Sequence, residues 1–394
     1  MDDGSHADRR VALVHDFLLD VRGAERVFLA LAEHYPDADI FTAIHDPVGS
    51  EHRFAGRRVH TTFLQRLRPT ARTFRALLPL YPAAIETLDL RGYDVVISSS
   101  SAWAHGAIAD EDAVHVCYCH NPFRYAWNAR EETLARTPAP LRPVLGAVLS
   151  HWRTWDTVAA ARVDRYLANS PTTAKRIRRF LGREAAVLAP PVDLARFVPS
   201  AEVGEEYVVL SELMPHKRID IAVTAFTRLG LPLTIIGKGP DRRRLQRLAG
   251  PTVTFAGHLT DAEVAQRLAR ARALVVTATE EFGIAAVEAQ AAGRPVIALR
   301  DGGVRDTVVE GVSGCFYETP DPEALAAAVL GFDALAVDPA ACLESAARFG
   351  TPRFLAAIDR AVEETLQGAS DRPRGPLHHR RRATRLARGR GASA

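Results

Sequence analysis

Glu280 and Glu288 lie within residues 273–299, ALVVTATEEFGIAAVEAQAAGRPVIAL, and their types and spacing suit recognition of a hydroxylated anion. Ala273 to Thr277 is a short apolar, β-branched run that reads as a buried parallel strand. Glu280, Glu281, Phe282 and Gly283 form a turn, and the Ala-rich run Ile284 to Ala292 reads as a closely packed helix. Gly293 can close that helix in a left-handed conformation, and Pro295 to Leu299 begins the next strand. A helix placed this way aims its free N–H groups and its dipole beyond the carboxyl end of the strand, where they favour an anion. Glu280 sits in the turn and Glu288 about two turns along the helix, so both can accept hydroxyl groups near that anion. The competing reading is structural, with Glu280 capping the helix and Glu288 solvated.

Other segments bring chemistry to loops that follow strands. Val11 to His15 is a buried strand, Asp16 to Gly23 its loop, and Ala24 to His34 has helical spacing of Val27, Leu29, Ala30 and Leu31. Strand, glycine-bearing loop and helix suggest a Rossmann-like half. Ile40 to Ile44, the run around Thr61 to Phe63, and Asp94 to Ser98 read as further strands, with Ser98 to Ser101 as a polar loop. His115 to Cys119 leads into His120-Asn121-Pro122-Phe123-Arg124-Tyr125-Ala126-Trp127, which puts His120 at the carboxyl edge of a sheet, where open α/β folds bind ligands. A structural loop histidine is the alternative. Leu141 to Arg162 carries an apolar face with Leu145, Leu149, Trp152 and Trp155, suited to core packing or to a membrane surface. Tyr207 to Leu210, Leu233 to Ile236 and Thr252 to Phe255 are strands of a second half. Gly237-Lys238-Gly239-Pro240 lacks the third glycine of a dinucleotide fingerprint and does not fit a Walker A loop.

Glu280-x7-Glu288, read as EEFGIAAVE and followed by AQAAGRPVIA, resembles the signature of the retaining glycosyltransferases of family 4. The resemblance covers nearly the whole chain apart from its ends. It implies an α/β GT-B fold: two Rossmann-like domains facing across a cleft, with a C-terminal helix crossing back to the first. The implied division is 1–190 for the acceptor-side domain, 191–203 for a hinge around Pro190-Pro191-Val192-Asp193, 204–348 for the donor domain and 349–367 for the crossover helix. The implied activity transfers a hexose from a nucleotide sugar to a glycan or lipid-linked acceptor in cell-envelope polysaccharide synthesis. The His-Asn-Pro-Phe-Arg-Tyr run is similar to a segment of family 4 mannosyltransferases acting on polysaccharide and O-antigen precursors, which favours mannose from GDP-mannose.

The resemblance also assigns residues. Glu280 orients the donor hexose, helped by the N–H groups of Phe282, Gly283 and Ile284; Glu288 holds the ribose; Lys217 offsets charge on the diphosphate; and His120 approaches the sugar from the other domain. Gly23 would lie near the sugar phosphates or acceptor, Gly237 would face the nucleotide and Gly257 the base, while Arg124, Tyr125 and Trp127 could line the acceptor side or simply pack as an amphipathic segment. Three places depart from the family pattern, the mildest being Asp306, where the family commonly has Glu. The loop Arg22-Gly23-Ala24-Glu25 is one glycine short, and Glu212 stands where an arginine shares the phosphate with the lysine. Arg218 or His216 could compensate, or Glu212 could turn into a salt bridge. No cofactor or metal is implied; Asp37 and Asp39 form an Asp-x-Asp outside the cleft. The rivals are a GT-B nucleotide-sugar epimerase and a catalytically weak sugar-nucleotide-binding scaffold.

At 394 residues, with 47% hydrophobic and 25% charged residues, the chain has room for two ordinary globular cores. It has no apolar run of about 18 residues and no apolar leader in MDDGSHADRR. Four cysteines do not make a disulfide framework, and Cys117 with Cys119 lacks further ligands for a metal. The cytoplasm is the expected compartment. The net charge of +3 divides into +7 on the stretch Asp371 to Arg390, with eight arginines and one aspartate, and about −4 elsewhere. Residues 368–394 read as a disordered basic tail that either is simply solvated or draws the protein to anionic lipid at the inner face of the plasma membrane. No base-reading motif points to a specific nucleic acid.

Overall fold

The structure is a computed structural model describing residues 9–71, 73–332 and 337–370. It contains two parallel sheets. The first comprises β1 (Val11–His15), β2 (Asp39–Thr42), β3 (Val59–Thr61), β4 (Val95–Ser100), β5 (Val114–Cys119), β6 (Arg165–Ala168) and β7 (Ala185–Val187), in the order β3-β2-β1-β4-β5-β6-β7. The second comprises β8 (Tyr207–Leu210), β9 (Leu233–Ile236), β10 (Val253–Gly257), β11 (Ala273–Val276), β12 (Val296–Leu299) and β13 (Gly314–Tyr317), in the order β10-β9-β8-β11-β12-β13. Strand order reverses between β1 and β4 in the first sheet and between β8 and β11 in the second, and such switch points open crevices at carboxyl ends. The central strands are buried except at Val11 and Leu210, as expected for sheets covered on both faces.

The chain leaves the first half through Val192 and returns at Gly350. These two residues bridge, with the Val192 N–H donating to the Phe349 carbonyl at 2.9 Å. The helix Thr351–Ser370 then buries Phe354, Ile358, Ala361 and Val362 beside Leu13, Phe28 and Tyr118 of the first half. Tyr35 donates to Asp359 at 2.6 Å, and Arg165 pairs with Glu364 at 2.6 Å. Both chain crossings therefore lie side by side.

Three local expectations change. The run expected to be a strand around Thr61 to Phe63 ends at Thr61, and Phe63 opens a short 3-10 turn capped by the Thr62 hydroxyl. The serines expected to form a loop continue β4 to Ser100, because histidines satisfy their buried hydroxyls: Ser98 Oγ lies 2.7 Å from His115 Nε2 and Ser99 Oγ 2.8 Å from His120 Nε2. The last helix runs to Ser370, so residues 368–370 are helical; the rest of the basic tail lies outside the described residues. Among the described residues, no helix is long and apolar enough to cross a membrane.

Candidate active site

Glu280 and Lys217 meet at the β8/β11 switch point. The loop after β8 carries Lys217 and the loop after β11 carries Glu280, and the ammonium group donates to both carboxylate oxygens at 2.7 and 2.8 Å. The Thr277 hydroxyl fixes the lysine loop by donating to the Lys217 carbonyl at 2.9 Å. Glu280 therefore does not cap the helix: the cap position is Gly283, whose φ of 90° puts it in the left-handed region where a Cβ is strained. The turn rests on Gly302 and Gly303, where any Cβ would overlap main-chain atoms of Glu280, Glu281 or Phe282. The Gly303 N–H donates to the Glu280 carbonyl at 2.6 Å, so the Asp301-Gly302-Gly303 segment aims Glu280.

From that turn the helix Ile284–Ala291 starts, and its first N–H groups have no intrahelical acceptors. Phe282 is buried with its ring edge against Phe349, so only its main chain can serve a ligand. Gly283 and Ile284 line the helix mouth and are partly exposed. Two turns on, Glu288 is 8% exposed rather than solvated. Burial raises its pKa, and nearby Arg196 and Arg26 offset part of that effect. Arg196 lies 3.8 Å from Glu288 and 3.2 Å from Asp261, while Arg26 from the first half grips Asp261 at 2.6 and 3.1 Å. Sequence reading missed Arg26, Arg196 and Asp261, since their loops and helices adjoin Glu288 only in three dimensions. Because burial penalises ionised Glu288 above its unfolded-state pKa, folded stability is lost as pH rises through that range. Glu288→Gln is accordingly expected to have a higher Tm than wild type at pH 8, with the gap closing towards pH 4. A lower Tm at pH 8, read by calorimetry, would contradict that balance.

The first half supplies the opposite wall. His120 follows β5 and is partly exposed, but the protein packed around its ring, with His15 nearby, pushes its pKa down to about 3. It is therefore a neutral imidazole near pH 7, held by Ser99, whose carbonyl accepts from His15 Nδ1 at 2.9 Å. Gly23 faces the helix mouth: a Cβ there would stand 3.4 Å from Ile284 Cδ1. Asn121 and Arg176 reach Glu281 across the cleft at 3.5 and 3.2 Å.

Gly237 and Gly257 also come together, the Gly237 N–H donating to the Gly257 carbonyl at 2.7 Å. A side chain on Gly237 would collide with the Ser211 carbonyl, so the loops after β8, β9 and β10 stack behind Lys217. Arg218 is placed differently: its guanidinium turns to Asp220 at 3.6 Å and the Pro320 carbonyl at 3.4 Å, not to Glu280. Trp127 is likewise no free acceptor-side surface. Its ring stacks on Phe180 at 4.8 Å and its indole N–H donates to buried Asp156 at 2.6 Å. Tyr125 is exposed, and Arg124 lies close enough to His216 to depress its pKa, secondary to burial. Glu212 turns into a salt bridge, 2.9 Å long, with Arg22 of the loop that is one glycine short.

Asp16, which the sequence marks only as the start of a loop, lies at the β1/β4 switch point. Its carboxylate accepts main-chain N–H groups of Ser101, Ala102, Trp103 and Ala104 at 2.6–3.1 Å, ordering the loop beside His120. An aspartate directly after an apolar strand is the sequence signal for it. Among the described residues, no group of three or more His, Cys, Asp or Glu side chains is placed to hold a metal.

Two Rossmann-like sheets with their switch points facing one cleft, and a last helix returning to the first, define a GT-B architecture. A model for Glycosyltransferase Family 4 matches residues 21–196 and one for Glycosyl transferases group 1 matches residues 195–334. Between them they reach both halves of a chain with the GT-B fold, and the chain spans about half of the first two curated relatives it matches. It is 30% identical over 233 residues to a GDP-mannose-dependent alpha-(1-6)-phosphatidylinositol monomannoside mannosyltransferase of Mycolicibacterium smegmatis, covering 48% of this chain and 61% of that relative. It is 28% identical to a D-inositol 3-phosphate glycosyltransferase of Acidothermus cellulolyticus over 82% of each chain. Its fold matches that of Anabaena Alr3699/HepE, solved in complex with UDP, with a TM-score of 0.67, 17% identity and coverage of 90% of this chain and 100% of that one.

Proposed function

We propose that this chain is a retaining glycosyltransferase that moves a hexose, with mannose from GDP-mannose as the favoured donor, onto a glycan or lipid-linked acceptor in cell-envelope polysaccharide synthesis. The observation that carries the reading is the Lys217–Glu280 pair at the mouth of the Ile284–Ala291 helix, with Glu288 buried further along it. A nucleotide sugar exchanges that pair for two better matched ones. Its diphosphate takes the ammonium group and the helix N–H groups, and the freed Glu280 carboxylate accepts hydroxyls of the hexose. Glu288 receives the ribose diol once Arg196 gives way. Neutral His120 meets the sugar from the opposite wall as a hydrogen-bonding group and not as a charge.

The leaving phosphate takes the proton of the attacking acceptor hydroxyl on the same face, so the protein contributes positioning and electrostatic stabilisation. The reading calls for no metal and no other cofactor. Mannose is favoured by the likeness of His120 to Tyr125 to mannosyltransferases and by the GDP-mannose-dependent relative; the UDP-bound neighbour makes a uridine donor the main competitor. We place the enzyme in the cytoplasm, working peripherally at the inner face of the membrane.

A panel of GDP-, UDP- and dTDP-sugars, tested with the purified protein, examines this reading. Release of nucleoside diphosphate from one donor, fastest for GDP-mannose, is the expected result. An isomerised nucleotide sugar would identify an epimerase instead, and binding without either product would identify a scaffold.

A further inference from the structure

Arg22 and Glu212 face each other from opposite walls of the cleft, Nη1 to Oε1 2.9 Å, with side chains 48% and 45% exposed. Arg22 is the residue before the helix Gly23–His34, and its neighbour Gly23 approaches Ile284, the first residue of the donor-side helix. Glu212 shares the loop after β8 with Lys217. The guanidinium therefore stands where two helix N-termini and a lysine-bearing loop converge, a place that favours negative charge. Asp20, 3.2 Å away, and Glu212 offset it. Glu212 is the anomaly: a carboxylate in a loop that otherwise presents His216, Lys217 and Arg218, at the entrance to a site suited to a diphosphate.

Water screens a half-exposed ion pair, so the Arg22–Glu212 bond is weakly held. A phosphate offers the planar guanidinium a multiply charged, bidentate partner that one carboxylate cannot match. We infer that Arg22 is a phosphate-binding residue of the donor site, occupied by Glu212 while the site is empty and handed to the diphosphate when the nucleotide enters. The inference rests on the donor reading above and adds a cation that comes from the first domain.

Titration calorimetry with GDP and UDP separates this exchange from a simple bond between domains. Arg22→Gln is expected to weaken the tighter-binding nucleotide about tenfold, and Glu212→Gln to strengthen it several-fold by removing the competitor. The double variant should behave like Arg22→Gln, and Arg22→Lys should recover part of the loss. If the pair merely ties the walls together, both single variants shift affinity in the same direction, which overturns the inference. A nucleotide that binds wild type and Arg22→Gln within twofold also overturns it while leaving the donor reading intact. If wild type binds neither nucleotide, both readings fall.

Discussion

Replacing Glu280 with alanine is expected to lower kcat/KM for the nucleotide-sugar donor by about 100- to 1,000-fold, the loss seen when one preorganised electrostatic contact is removed from a water-poor site. The Glu280 main chain is fixed by Gly303, so on substrate binding only its carboxylate has to exchange Lys217 for the sugar hydroxyls. Nucleotide affinity should move in the opposite sense to turnover. Without Glu280 the Lys217 ammonium loses its competitor, so binding of nucleoside diphosphate holds or tightens while transfer collapses. Some stability is also lost, about 1–3 kcal/mol, because Lys217 is only 19% exposed and is left without its partner. Comparing melting curves with donor turnover separates the two effects. Turnover within a few-fold of wild type would remove Glu280 from the reaction.

The second large effect concerns the scaffold. Asp16→Ala leaves four main-chain N–H groups beside a buried loop without their acceptor. Each unsatisfied donor costs about 1–3 kcal/mol, and with relaxation the total is about 4 kcal/mol or more, a large share of a domain's stability. A fall in Tm of about 10 °C or more is expected for a unit of this size. Asp16→Asn, which keeps one acceptor oxygen, should fall between. The ordered loop includes fully buried Trp103, which packs on Phe123 at 4.4 Å, and Phe123 belongs to the segment carrying His120. Loss of Asp16 should therefore disturb the cleft wall as well as the fold. A Tm within about 2 °C of wild type would show that these N–H groups find other acceptors.

The contrast between Glu280 and Asp16 shows what sequence could convey. Glu280 sits in a strand-turn-helix unit whose local pattern states its own geometry, so the turn, the helix start and the spacing to Glu288 were all legible. Alternating strands and helices made Rossmann-like halves legible in the same way, while the GT-B arrangement followed from the resemblance to family 4. Asp16 acts on residues 101–104, and nothing near it announces four distant donors. Arg26, Arg196 and Asp261 were hidden similarly, since each is an ordinary charged residue on its own element and becomes a network only when the two halves close on Glu288. The serines after Ile97 misled because polarity suggests a loop, whereas His115 and His120 supply the partners that let them stay in a buried strand. Trp127 was open between packing and the acceptor side because an aromatic near a cleft can face either way, and Asp156 decides for packing from another helix. Glu212 stood out as a departure with a salt bridge among its readings, but only the fold shows Arg22 to be its partner.

The central claim is that the crevice between Lys217, Glu280 and the start of the Ile284–Ala291 helix holds a nucleotide sugar. A crystal structure of the protein with GDP, or with UDP if the donor panel favours it, tests that claim most directly. The account predicts the diphosphate within hydrogen-bonding distance of Lys217 Nζ and the N–H groups of residues 282–284, with the ribose hydroxyls at Glu288 and the carboxylate of Glu280 released towards the sugar position. A nucleotide bound elsewhere on the protein, with the Lys217–Glu280 pair undisturbed, would contradict it.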